Sequence, residues 1–120
     1  EHELSALYDC AHGAGLAVIM PAWMTYVVDH DVMRFAQMAC RVWNCKMDFQ
    51  NPKKTALEGI AAFRSFLKSI GMPINFSELG AKESDIPYLV KTFGLGETGK
   101  TGGFVQLTSK DVENIYRLAL

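Results

Sequence analysis

The chain has 120 residues, of which 49% are hydrophobic and 21% are charged, which is typical of one domain with a real hydrophobic core. The formal net charge of -1 provides no basic surface, so we expect no nucleic-acid partner. No stretch is long and apolar enough to span a bilayer, so we expect no membrane partner.

The first residues and the cysteines bear on the cellular compartment. The opening stretch EHELSALYDC is not a signal peptide and has no initiator methionine, so we expect a piece of a longer protein. Cys10, Cys40 and Cys45 are odd in number and lack C-x-x-C spacing, which favours reduced thiols over a disulfide framework or a zinc site. We therefore expect a cytoplasmic protein.

Helical periodicity dominates the chain from the first apolar run onward. The run from Leu16 to Val28 is almost wholly apolar, which predicts a helix buried on most of its circumference, and Pro21 is expected to kink or restart it. Asp31 is predicted to cap a second helix that ends near Asn44. The apolar stripe of this second helix comprises Val32, Phe35, Ala36, Ala39 and Val42.

A third helix has the clearest start and stop signals. Asn51 is predicted to cap it, Pro52 occupies its first turn, and Gly71 ends it. Its apolar side chains recur at steps of three and four, and we expect them to be buried together: Leu57, Ile60, Phe63, Leu67 and Ile70. The segment from Met72 to Lys82 holds proline, glycine and polar residues and is predicted to be a loop with one short turn.

Two further helices complete the chain. Ser84 or Asp85 is predicted to cap a short helix through Phe93, and Ser109 is predicted to cap the last one. One face of the last helix carries Val112, Ile115, Tyr116 and Ala119. The sequence thus predicts an all-α domain of five or six helices.

The stretch GLGETGKT, residues 94–101, fits the phosphate-loop pattern G-x-x-x-x-G-K-[ST]. That pattern requires a strand before the loop and a helix beginning at the Lys-Thr pair. Here a predicted helix precedes it, and Gly102 and Gly103 follow it and oppose helix initiation. We interpret the stretch as a connector between helices, with a small nucleotide-binding module as an alternative.

Histidines near the chain start suggest a ligand site. His12 is followed by Gly13 and Gly15, which let backbone or a ligand approach closely, and His2 lies ten residues before it. The residues alone leave open a surface loop leading into a core helix, because this spacing is not that of a local metal site. His30, between two aspartates, is expected to be solvated.

The whole segment EHELSALYDCAHGAGLAVIMPAWM resembles the metal-binding region of the iron-containing alcohol dehydrogenases, in the branch that includes NADPH-dependent butanol dehydrogenases. The family pattern is H-x-x-x-H-E-L-x-x-x-Y-x-x-x-H-G-x-G-L-A-x-x-x-P-x-W-M. Later stretches are also similar to family segments: RFAQMACRVWN, AAFRSFLKSIGMPINFSELG and GGFVQLTSKDVENIYRLAL. The resemblance covers essentially the whole chain and implies the helical C-terminal domain of the dehydroquinate-synthase-like fold.

This resemblance implies roles for individual residues. His12 matches the last metal ligand of the family, and His2 matches an active-site histidine that can move the hydroxyl proton. The other ligands are expected upstream of Glu1. Trp23 and Met24 are expected mainly to pack, with lining of the substrate cavity as the alternative.

The implied activity is that of the full-length enzyme, which transfers a hydride between a small alcohol or aldehyde and NAD(P)H and uses Fe²⁺ or Zn²⁺. Residues 1–120 are then the metal-binding helical domain, without the nucleotide-binding domain. We expect this domain alone to be inactive and to hold neither metal nor cofactor. For the full-length enzyme, a homodimer is a possible assembly. A helical structural or interaction module without a catalytic role is the alternative.

Overall fold

Helices account for nearly all regular structure in the computed structural model, which describes residues 1–120. They are α1 (His2–Tyr8), α2 (His12–Val27), α3 (Val32–Trp43), α4 (Pro52–Ser69), α5 (Phe76–Leu79), α6 (Ile86–Phe93) and α7 (Ser109–Leu118). Two short 3₁₀ turns, Val28–His30 and Glu83–Asp85, precede α3 and α6. The predicted all-α class is confirmed, and the short helices α1 and α5 bring the number to seven.

The centre of the domain is α2, which contacts α1, α4, α5 and α7. Its side chains are buried or half-buried apart from a few positions such as Met20 and Thr25, as the apolar run predicts. The helix does not restart at Pro21, which is buried in its interior. No helix of the domain has both the length and the apolar composition that crossing a bilayer requires.

Polar caps at the starts of α3 and α4 are confirmed. The side chain of Asp31 accepts a hydrogen bond from the backbone N–H of Arg34, and that of Asn51 accepts one from Lys54. Each cap satisfies a first-turn N–H that has no partner within the helix. The predicted end of α3 near Asn44 is confirmed, and Asn44 adopts a left-handed conformation there.

The caps predicted for the last two helices are wrong in detail. Thr108, not Ser109, caps α7, because Thr108 and Asp111 form a reciprocal capping box, in which each side chain accepts the backbone N–H of the other residue. Before α6, Asp85 occupies the N-cap position, which is one of the two predicted, but its side chain makes no capping hydrogen bond and instead accepts one from Tyr8. A long-range partner has replaced the local one.

The closest helix pair is α3 with α4, and a glycine permits the close contact. A Cβ added to Gly59 would lie 2.7 Å from the Cα of Ala39, so only glycine fits there. Thr55, Ala56 and Ile60 are buried along the same face of α4. The two helices therefore meet through small side chains, which let their backbones approach.

This packing corrects the predicted core of α4. Of the five predicted residues, only Ile60 and Leu67 are buried, whereas Leu57 and Ile70 are 39% and 56% exposed. Helix α4 faces α3 with its smaller residues. Its larger apolar residues therefore lie towards the edge of the contact, where several are exposed. Val42 on α3 is likewise exposed, at 64%, while Phe35, Ala36 and Ala39 are buried. On α7 the predicted face is confirmed, with all four of its members buried.

The stretch 94–101 is a connector between α6 and α7, as predicted. Gly94 ends α6 in a left-handed conformation with φ +82°, and Gly96 also has positive φ. Thr101 forms an isolated antiparallel bridge with Leu107 rather than starting a helix. A helix precedes the stretch and no helix begins at its Lys-Thr pair, so it does not have the structure of a phosphate loop.

Candidate metal centre

Both candidate histidines depend on the placement of the short helix α1. Leu4 is fully buried in the core, and Tyr8 closes the other end of the helix. The Tyr8 hydroxyl donates to Asp85 Oδ2 at 2.5 Å and accepts from the backbone N–H of Lys82 at 3.1 Å. Burial, together with the hydrogen bond to Asp85, raises the pKa of Tyr8. The helix is therefore held at both ends by the rest of the domain.

A tight turn then brings the start of α2 next to the start of α1. Asp9 adopts a left-handed conformation with φ 49°, which short polar side chains tolerate, and α2 begins at His12. The rings of His2 and His12 stack with centroids 5.1 Å apart and planes inclined by 21°. The fold thus joins two histidines whose spacing in the sequence does not indicate a common site.

A third group, Glu1, completes the cluster. Its side chain is only 5% exposed, whereas that of His12 is 56% exposed. Oε2 of Glu1 is paired with Nδ1 of His12, and Oε1 accepts a hydrogen bond from the Ser5 hydroxyl. The carboxyl group lies over Gly15, where an added Cβ would be 2.7 Å from Cγ of Glu1.

Glu1 is the residue that the sequence reasoning missed. Gly15 was the available signal, because its position after His12 indicates a close approach. The sequence does not indicate that the group approaching Gly15 is the side chain of Glu1.

The cluster has the donor atoms that a divalent transition metal requires. The potential ligand atoms of Glu1, His2 and His12 lie within 4.8 Å of one another. Two imidazole nitrogens and a carboxylate oxygen suit Zn²⁺ or Fe²⁺, and comparable three-ligand sets hold catalytic zinc. His30 lies at the opposite end of α2, is exposed, and contacts Phe104 edge to face, as expected for a residue outside the site.

A small apolar cavity of about 160 Å³ adjoins Glu1. Trp23 lines it and also contacts Phe35 and Phe104 edge to face, so this side chain both packs and borders open space. Met24 packs against the core and does not line the cavity. The other residues around the cavity are Ile19, Phe93, Thr101, Leu107, Val112, Ile115 and Tyr116.

Comparison with known proteins identifies the family. Residues 1–120 match the model of the Fe-containing alcohol dehydrogenase family, C-terminal. The chain belongs to this family. Among its relatives in the family, NADH-dependent butanol dehydrogenase A of Clostridium acetobutylicum is 31% identical over 118 residues, which are 98% of this chain and 30% of the relative. The probable NADH-dependent butanol dehydrogenase 2 of Bacillus subtilis is 32% identical over 121 residues, covering 100% of this chain and 31% of the relative.

Solved structures of a butanol dehydrogenase and an aldehyde reductase share the fold. The crystal structure of NADH-dependent butanol dehydrogenase A from Thermotoga maritima superimposes with a TM-score of 0.88 at 36% identity, covering 98% of this chain and 31% of that one. The aldehyde reductase YqhD from E. coli gives a TM-score of 0.84 at 28% identity, covering 99% of this chain and 31% of that one. This chain therefore spans slightly less than a third of the length of the relatives that it matches.

Proposed function

We propose that residues 1–120 are the metal-binding helical domain of an alcohol dehydrogenase that transfers a hydride between a small alcohol or aldehyde and NAD(P)H. The observation that carries the proposal is the position of His12, which has a ring nitrogen within 4.8 Å of a carboxylate oxygen of Glu1 and of a ring nitrogen of His2. It lies in the segment that resembles the metal-binding region of the family. The named relatives, which include butanol dehydrogenases and an aldehyde reductase, support the substrate and cofactor classes.

In this proposal His12 is a metal ligand and His2 handles a proton. A divalent iron or zinc ion, when bound, supplies Lewis-acid chemistry that lowers the pKa of an alcohol hydroxyl. The exposed imidazole of His2, stacked on His12, accepts the hydroxyl proton on a ring nitrogen and releases it to solvent. Further ligands and the nicotinamide site come from outside these 120 residues, so this domain alone is inactive.

Metal analysis of the full-length protein tests the role of His12. We expect His12→Ala to lose the bound metal and turnover together, because loss of one ligand leaves the ion loosely held. His30→Ala is the matched control, since it removes an exposed imidazole at the far end of α2. Metal content is measured by elemental analysis after dialysis. Full metal and normal turnover in His12→Ala would refute the assignment and favour a structural module.

His2→Ala separates proton transfer from metal binding. We expect the variant to keep its metal while turnover falls by about 100-fold or more, the usual contribution of general acid-base catalysis. Loss of the metal would show instead that His2 is a ligand. Unchanged turnover would remove His2 from the mechanism.

A further inference from the structure

The carboxylate of Glu1 has an environment that surface carboxylates lack. Its side chain is only 5% exposed, and both of its oxygens are engaged, Oε1 by the Ser5 hydroxyl and Oε2 by His12 Nδ1. Burial of a carboxylate is costly unless hydrogen bonds compensate for the lost water. Ser5 and His12 together provide this compensation, one at each carboxylate oxygen.

We propose that Glu1 is a positioning residue: its carboxylate holds the proton of His12 on Nδ1 and so leaves Nε2 of the imidazole free to bind a metal ion. This inference rests on the proposed role of His12 as a ligand. An imidazole nitrogen binds a metal through its lone pair, so only the nitrogen without a proton can do so. A hydrogen bond from the other nitrogen to a carboxylate selects that tautomer and also makes the ligand more basic.

The geometry favours this role over direct ligation by Glu1. Nδ1 of His12 and Oε2 of Glu1 are paired with each other, so in this arrangement neither atom is available to a metal ion. The His12 side chain is 56% exposed although its Nδ1 edge is covered by a buried group, so the free part of the ring faces outward. Stacking on His2 further restricts rotation of the ring.

Gly15 is the second, independent observation. A Cβ at this position would lie 2.7 Å from Cγ and 2.8 Å from Cδ of Glu1. Gly15 is buried inside α2, where alanine is favoured over glycine by about 1 kcal/mol. Glycine at this position therefore leaves room for the carboxyl group at the expense of helix stability.

Nuclear magnetic resonance of the 120-residue chain labelled with ¹⁵N-histidine tests the pairing without any metal. In the parent chain we expect His12 to carry its proton on Nδ1. Glu1→Ala removes the acceptor, and Gly15→Ala displaces it without changing either paired group, so both should shift His12 towards the Nε2-protonated tautomer. Glu3→Ala is the matched control, because it removes a carboxylate of α1 whose Oε2 has no hydrogen-bond partner and which pairs with the amino group of Glu1 rather than with His12.

The outcomes separate this inference from a general structural effect. Gly15→Ala should keep the helical circular dichroism of the parent, since it improves helix propensity. If Glu1→Ala fails to fold, the tautomers of His12 in the parent chain and in Gly15→Ala still test the pairing. An Nε2-protonated His12 in the parent chain, or an unchanged tautomer in Gly15→Ala, would overturn the pairing.

Titration of the full-length, metal-free protein with Co²⁺ tests the consequence for binding. We expect Glu1→Ala and Gly15→Ala to weaken Co²⁺ affinity by about 10- to 100-fold, the usual effect of losing a hydrogen-bond partner of a ligand, and Glu3→Ala to leave it unchanged. If His12→Ala abolishes binding while Glu1→Ala does not weaken it, this inference fails and the proposed function stands. If His12→Ala retains Co²⁺, the proposed function fails even where the tautomer is confirmed.

Discussion

Two buried glycines, Gly15 in α2 and Gly59 in α4, lie inside helices and are surrounded by different neighbours. Beside Gly59 the nearest atoms belong to Ala39, including its Cα and backbone nitrogen. Beside Gly15 they belong to the end of the Glu1 side chain. Backbone cannot move without separating two helices, whereas a side chain can rotate away. The same residue type therefore serves packing in one helix and a candidate site in the other.

The largest expected effect distinguishes the packing glycine. Gly59→Ala should lower the free energy of unfolding by about 2 kcal/mol, because overpacking against Ala39 outweighs the gain in helix propensity. Chemical denaturation followed by circular dichroism measures it. Gly59→Ala combined with Ala39→Gly should recover part of the loss, since it restores room for the added methyl group. An additive double variant would show that the two positions do not interact.

A smaller effect is expected in the connector between α6 and α7, where glycine serves backbone conformation. Gly96 has φ +65° with no atom within 4 Å of an added Cβ, so Gly96→Ala should cost about 1 kcal/mol through strain alone. Gly103 has equally open surroundings without positive φ, so Gly103→Ala is the matched control and should change stability little. Thermal denaturation compares the two. Equal losses in both variants would remove backbone strain as the cause.

The smallest stability effect is expected at Gly15. Gly15→Ala should change the free energy of unfolding by less than about 1 kcal/mol, because better helix propensity offsets displacement of the Glu1 carboxylate. The same denaturation experiment measures it beside Gly59→Ala. A loss as large as that of Gly59→Ala would erase the distinction between the two glycines.

Much of the fold could be predicted because local signals and tertiary packing agree. Asp31 and Asn51 cap their helices as predicted, since their hydrogen-bond partners lie only three residues further along the chain. At Asp85 the sequence misleads, because the carboxylate has a better partner in Tyr8, distant along the chain. On α4 the apolar period identified the helix but not its buried face, because close contact with α3 selects small residues over large ones.

The candidate site was predictable only in part. His2 and His12 could be singled out through resemblance to a family, but their contact depends on the turn at Asp9 and on the anchoring of α1. Nothing next to Glu1 in the sequence singles it out, since a glutamate at the start of a helix is ordinarily a solvated residue, and only the distant Gly15 indicates a close approach. Only in the structure is it visible that the Glu1 carboxylate occupies the space left by the missing side chain of Gly15.

Hydrogen bonds from two tyrosines to distant carboxylates constrain when this site can form as the chain folds. Tyr8 is bonded to Asp85, 77 residues later, and Tyr26 to Asp111, 85 residues later. A helix as short as α1 does not persist by itself in water, so its formation depends on distant residues such as Asp85. Contacts of such sequence separation slow the folding of an otherwise local, helical topology. During synthesis, the contact between His2 at the start of α1 and His12 at the start of α2 therefore forms late, when most of the domain has already left the ribosome.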